Sequence, residues 1–186
     1  MKGFKKFNAE YIEDLGVYAR NYVALHPEVR IYVGTDSEAY RKNIGYATVV
    51  LFYHPGKGAH FIYKADLIPK TVYKKNPSIK VGDVLTFDAI RDMNPKLWGE
   101  VERSFEVAEY LETELEGSYA RFKEGEKLVD VDLDFNPSKK WLSNLVHDAG
   151  VGYFSGYGYR VRCKPYAYAA STAADLVVRK QRRKRS

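Results

Sequence analysis

Residues 127–135 read Lys-Leu-Val-Asp-Val-Asp-Leu-Asp-Phe. Val129, Val131, Leu133 and Phe135 fall on one face and Asp130, Asp132 and Asp134 on the other, which is the period of a β-strand. An earlier stretch, Arg30-Ile-Tyr-Val-Gly-Thr-Asp36, is rich in β-branched and aromatic residues and also runs into an acid. If the intervening chain brings these two strands side by side and parallel, their aspartates meet at one end of a sheet.

Working outward, Ile44 to Tyr53 and Ala59 to Ala65 have the same strand character. Between them His54-Pro-Gly-Lys-Gly58 reads as a hairpin turn; it lacks the spacing of a phosphate-binding loop. The first three strands therefore form an antiparallel meander. Residues 66–96 are broken by Pro69, Pro77 and Pro95 and read as a protruding excursion. From Pro95 to about Glu116 the pattern turns helical, with Leu97, Val101, Ser104, Phe105, Ala108 and Leu111 on one stripe. Asn136-Pro137 opens a second helix carrying Trp141, Leu142, Leu145, Val146 and Ala149, closed by the glycines through Gly158. Tyr159 to Lys164 is a short strand stopped by Pro165, and Ala169 to Val178 a last helix packed through Ala173, Ala174, Val177 and Val178. Before all of these, residues 8–25 predict an amphipathic helix with Asn8 as its N-cap and Tyr11, Leu15, Tyr18, Tyr22 and Leu25 at helical spacing. The order is an added helix followed by β-β-β-α-β-α-β-α. That is an α/β fold with a mixed five-stranded sheet and flanking helices.

The 186 residues suffice for a real core without disulfide or metal staples. Cys163 has no partner for a bridge, and with His26, His54, His60 and His147 it offers no zinc-ligand spacing. The start, Met1-Lys-Gly-Phe-Lys-Lys-Phe-Asn, does not read as a signal peptide, and no apolar run approaches the roughly 20 residues a membrane span needs. A cytoplasmic protein with no membrane partner is expected. The net charge of +6 is localised: Arg179, Lys180, Arg182, Arg183, Lys184 and Arg185 hold six of the thirty Lys and Arg, leaving twenty-four against twenty-four Asp and Glu. The expected organisation is one domain over 1–178, with 1–28 as a helical extension, and a basic, disordered tail over 179–186. Such a tail suits phosphate backbones or serves solubility alone.

Four acids fall where this topology brings them together. Asp36 and Asp134 end neighbouring strands, and Glu100 lies in the first turns of the intervening helix near its buried stripe. Asp175 sits beside alanines in the last helix, where it joins the group or pairs with Arg179 at i+4. Converging carboxylates repel and raise one another's pKa unless a cation neutralises them. All-oxygen sites favour hard divalent ions, and two Mg²⁺ or Mn²⁺ about 3.5–4 Å apart activate a water and stabilise the leaving oxygen in phosphodiester cleavage. Asp130 reads as a solvated strand residue. Lys164 contacts substrate phosphate or is a plain surface lysine, and the many tyrosines pack the core or stack bases.

Ile31-Tyr-Val-Gly-Thr-Asp-Ser37, Glu100-Val-Glu-Arg-Ser104, Asp132-Leu-Asp-Phe-Asn-Pro137, Lys164-Pro165 and Ala170-Ser-Thr-Ala-Ala-Asp175 resemble, in order, the motifs of the YkuK-type family of ribonuclease H-like nucleases. The similarity spans about residues 30–178. It implies a ribonuclease H-like fold, metal-dependent cleavage of RNA or DNA, and a tetrad at Asp36, Glu100, Asp134 and Asp175. Where relatives often carry a histidine two residues before the third acid, this chain has Asp132, so the third metal ligand is Asp132 or Asp134. Ser37 stands where many ribonucleases H have a glycine, so hybrid-specific cleavage is not implied. The alternative is a nucleic-acid-binding module on the same fold with little or no hydrolysis; a resolvase or exonuclease would share the metal chemistry.

Overall fold

A computed structural model describes residues 1–72, 91–92, 94–117, 126–135 and 143–183. The strands are β1 (Lys5–Lys6), β2 (Arg30–Tyr40), β3 (Asn43–His54), β4 (Gly58–Pro69), β5 (Val129–Leu133) and β6 (Val161–Cys163). The helices are α1 (Leu15–Leu25), α2 (Pro95–Leu115), α3 (Ser143–Gly156) and α4 (Asp175–Arg183), the last preceded by a π-helical segment at Ala169–Ala174. The sheet order is β1-β4-β3-β2-β5-β6. β2, β3 and β4 form the antiparallel meander, while β5 pairs in parallel with both β2 and β6. The expected α/β sheet is thus present with a sixth strand, the two-residue β1, which pairs Lys5 with Tyr63 on the outer edge of β4.

Both faces of the sheet are covered, because the strands present apolar residues alternately to each side. On one side Ile31, Val33, Val50, Phe52, Ile62, Val129, Val131 and Leu133 meet α1, α2 and α3 through residues such as Leu15, Val101, Leu111 and Phe154. On the other, Tyr32, Ala47, Val49 and Leu51 meet Ala169, Ala173, Ala174, Val177 and Val178. The small residues of the last helix let its backbone lie close to the sheet.

Several boundaries differ from the sequence reading, each for a local reason. α1 starts at Leu15, not near Asn8: Asp14 accepts from the Val17 N–H at 2.9 Å, whereas the Asn8 side chain accepts from the Glu10 N–H in a tight turn. The preceding backbone is used elsewhere, with Ile12 N–H bonded to the Phe4 carbonyl. β2 does not end at Asp36 but continues to Tyr40, since β3 pairs with it through Tyr40↔Asn43. α2 keeps its expected start, with Asn94 accepting from Leu97 N–H and Pro95 in the first helical position. The helix start at Asn136-Pro137 and the body of the excursion, residues 73–90, lie outside the described residues. α4 runs to Arg183, so helix covers 179–183 of the stretch expected to be a disordered tail. Among the described residues no helix is long and apolar enough to cross a membrane.

Gly150 shows how tightly α3 sits: a Cβ built there lies 3.3 Å from both Leu133 Cδ1 and Val101 Cγ2. Gly150→Val is expected to overpack this junction of α3, α2 and β5 and to cost about 1–3 kcal/mol. Urea denaturation should read this as a lower midpoint with an unchanged slope.

Candidate active site

The site is made by a mismatch of strand lengths. In the parallel register Thr35 faces Leu133, where β5 ends, while β2 continues. Asp36 and Asp134 therefore stand one step beyond the last parallel rung. Strand alternation sends Thr35 and Ser37 toward α2 and Asp36 toward the opposite face, where Asp175 begins α4. Ser37 Oγ hydrogen-bonds Glu100 Oε1 of α2. One turn further along α2, Ser104 Oγ donates to Thr35 Oγ1 at 2.9 Å, and Thr35 Oγ1 donates to Thr48 Oγ1 at 3.0 Å. This buried chain of hydroxyls fixes α2 against β2 and β3, directly beneath the acids.

The electrostatics follow from crowding and burial. Glu100 is 3 % exposed. Burial first, and the nearby charges of Asp36 and Asp134, push its carboxyl up to about 8, against the pull of Lys96 and the Ser37 hydroxyl. Asp36 is raised to about 6, mainly by burial and further by Asp134 and Asp175; the Ser37 backbone N–H and the Lys96 charge oppose this. Asp134 is raised by burial and by Asp175, while Lys164 opposes, its ammonium 2.9 Å from Oδ1. That contact is an ion pair without hydrogen-bond alignment, and Asp134 Oδ1 is a buried oxygen with no hydrogen bond.

Asp36, Glu100 and Asp134 thus act on one another, and Asp175 acts on both aspartates. Three of the four nevertheless have a side-chain partner of their own: Ser37 for Glu100, Lys164 for Asp134, and Arg179 at 2.7 Å for Asp175. The expected gathering of carboxylates around a metal is not assembled. Among the described residues no three or more carboxylate, histidine or cysteine groups stand close enough to enclose an ion.

Asp132 occupies a different place. Fully buried, it accepts from Arg162 Nε at 2.7 Å and Nη2 at 2.8 Å, and from the Ala169 N–H at 2.6 Å. Its oxygens tie β6 and the start of the last helical segment to β5, and so it is Asp134 that faces Asp36 and Glu100. Asp130 is paired with Arg160 at 2.6 Å. Of the basic candidates, Lys164 lies on Asp134, Arg179 on Asp175, and Lys180 donates to the Phe7 carbonyl at 3.2 Å. The Arg182 and Arg183 side chains, and all of Lys184 and Arg185, lie outside the described residues.

Lys96 and Arg162 were missed by the sequence reading, as was the hydrogen-bonding role of Ser37. Lys96 precedes Glu100 by four residues, one turn on the same helix face, which was the available signal. Arg162 could be found only through the β5–β6 register, which sets it opposite Asp132.

Compared with known proteins, the family model described as ribonuclease H-like matches residues 16–80 and 82–179. No curated protein and no solved structure matches the chain.

A carboxyl raised on folding is neutral in the folded state at pH values where the unfolded chain has already ionised. Its contribution to stability is complete below the unfolded pKa and is lost as pH rises through the folded value. For Glu100 that window runs from about 4.5 to about 8. In EDTA, wild-type stability between about pH 6 and 8 should fall relative to Glu100→Gln by up to about 1.4 kcal/mol per pH unit. Urea melts of the two proteins across that range check the difference.

Proposed function

The chain belongs to the ribonuclease H-like family, and on that premise we propose that it is a metal-dependent nuclease hydrolysing phosphodiester bonds of RNA or DNA. The observation that carries this reading is the placement of Asp36 beside Asp134, where β5 leaves the sheet, with Glu100 buried alongside them. Within the family, the five ordered motifs from Ile31 to Asp175 support a YkuK-type member.

The donor chemistry fits a hard divalent cation. Asp36, Glu100, Asp134 and Asp175 offer oxygen only, the first three are destabilised as anions chiefly by burial and further by neighbouring acids, and Asp134 Oδ1 lacks a hydrogen bond. These four residues would hold two Mg²⁺ or Mn²⁺ ions. Bound there, the metal supplies activation of an attacking water and stabilisation of the leaving oxygen. The protein's own groups prepare the site for that charge. Lys96 and Lys164 offset the acids electrostatically, Ser37 orients Glu100, and Arg179 holds Asp175 until a stronger cation competes. Basic residues of α4 and beyond, Arg182, Arg183, Lys184 and Arg185, serve phosphate contact.

One observation favours a second reading, a nucleic-acid-binding module with little hydrolysis. Each acid of the site except Asp36 already has a protein side chain against it: Ser37 on Glu100, Lys164 on Asp134 and Arg179 on Asp175.

Two outcomes separate these readings. Asp36→Asn should reduce Mg²⁺- or Mn²⁺-dependent cleavage of labelled RNA and DNA by at least about 100-fold while leaving binding near wild type, on the scale of losing a group that acts in the transition state. Mg²⁺ or Mn²⁺ should raise the Tm of the wild type, and Asp36→Asn/Asp134→Asn should erase that rise. An inactive wild type with no metal-dependent Tm change favours the binding module. Deleting residues 181–186 removes four basic residues. This should flatten the log affinity against log salt slope by up to about 0.7 per lost contact on single strands, and about 0.9 on duplex DNA.

A further inference from the structure

The segment joining β6 to the last helical stretch, Lys164-Pro-Tyr-Ala-Tyr-Ala169, touches the acids only at its two ends, Lys164 on Asp134 and the Ala169 N–H on Asp132, and the residues between are built with care. Ala167 and Ala169 are fully buried, while Tyr166 and Tyr168 are 65 % and 54 % exposed. The backbone is pinned at three points: Tyr166 N–H to the Cys163 carbonyl at 2.8 Å, Tyr168 N–H to the Tyr166 carbonyl at 3.0 Å, and Ala169 N–H to Asp132 Oδ2 at 2.6 Å. Two large rings are therefore held out in water by a fixed main chain, with small side chains anchoring the positions between them. Three bases stand nearby, each paired with an aspartate of β5 or the residue just after it: Arg160 with Asp130, Arg162 with Asp132 and Lys164 with Asp134. From Arg160 to Ala174 the sequence has no acid and three bases, Arg160, Arg162 and Lys164. The Arg162 guanidinium lies 3.5 Å from the centre of the Tyr32 ring and 5.6 Å from that of Tyr168, held by Asp132. Lys164, two residues before Tyr166, reaches Asp134 of the candidate site.

We propose that Tyr166 and Tyr168 form a stacking platform for the unpaired bases of a single-stranded nucleic acid, whose phosphates run past Arg160 and Lys164 toward Asp36 and Asp134. This deepens the nuclease reading and rests on it for the identity of the neighbouring site. Single strands are favoured over duplexes because base faces are open to an aromatic ring only where bases are unstacked. Stacking is indifferent to base identity, so the platform recognises strandedness rather than sequence. The pinned backbone matters, because rings carried on an ordered main chain leave less freedom to lose when a base settles on them. It also gives Asp132 a positioning role, since that carboxylate fixes both the loop and the arginine beside Tyr168.

The test is fluorescence anisotropy with the full chain in EDTA, using a labelled oligothymidylate, an abasic strand of equal length, and a blunt duplex. Wild type should prefer the oligothymidylate to the abasic strand. Tyr166→Ala and Tyr168→Ala should each weaken oligothymidylate binding by about 5- to 100-fold, in line with base–aromatic stacking, and leave abasic binding and Tm unchanged. Tyr166→Phe and Tyr168→Phe should retain affinity. Equal wild-type affinity for base-bearing and abasic strands, preference for the blunt duplex, or alanine variants that bind oligothymidylate as well as wild type would each overturn the platform. Cleavage in Mg²⁺ by wild type against Asp36→Asn is scored separately, so a failed platform beside metal-dependent cleavage leaves the nuclease reading standing, and a failed nuclease reading leaves the stacking result intact.

Discussion

The parallel pairing of β2 with β5 is the constraint on which the rest of the molecule depends. It places Ile31, Val33, Val129, Val131 and Leu133 in one buried layer beneath α2 and α3. It also ends before β2 does, leaving Asp36 and Asp134 at a step in the sheet. A parallel pair needs a long crossover, and that crossover contains α2, which carries Glu100 and Lys96 to the same step. One pairing thus decides both where the core lies and where the acids meet.

Acids brought together this way oppose folding, and the protein answers with local counter-charges and hydroxyls. Lys164, Arg179 and Ser37 each take one carboxylate, and Lys96 acts on two. Burial dominates the upward pressure on Asp36, Glu100 and Asp134, so low local polarity, more than repulsion alone, makes the site receptive to added positive charge. Asp132, two residues from Asp134, shows the opposite solution: three hydrogen bonds saturate it, and it acts as a structural tie.

The strand period of residues 127–135 and the order of elements were legible because alternation reports burial directly. Less legible were the endpoints, which depend on partners distant in sequence. Asp36 reads as a strand end until β3 is known to pair out to Tyr40, and Asn8 reads as a helix cap until Phe4 is found taking the Ile12 N–H. Asp132 and Asp134 lie on the same face of one strand, so no periodicity separates them. What distinguishes them is Arg162, which comes alongside only through the β5–β6 register. Like charges along 179–183 argue for disorder, but Arg179 pairs with Asp175 and Lys180 reaches the Phe7 carbonyl, contacts that help keep helix in a stretch whose composition alone would not.

The chain of hydroxyls from Ser104 through Thr35 to Thr48 also sets how the floor of the site answers to charge above it. A hydroxyl both gives and receives, so the chain can reverse its polarity by bond rotation while every heavy atom stays in place. Thr35 adjoins Asp36 in sequence, and Ser104 lies one turn from Glu100. The ground beneath the carboxylates is therefore mechanically stiff and electrically soft, a dielectric that can reorient as negative charge appears or is withdrawn without disturbing the packing around it.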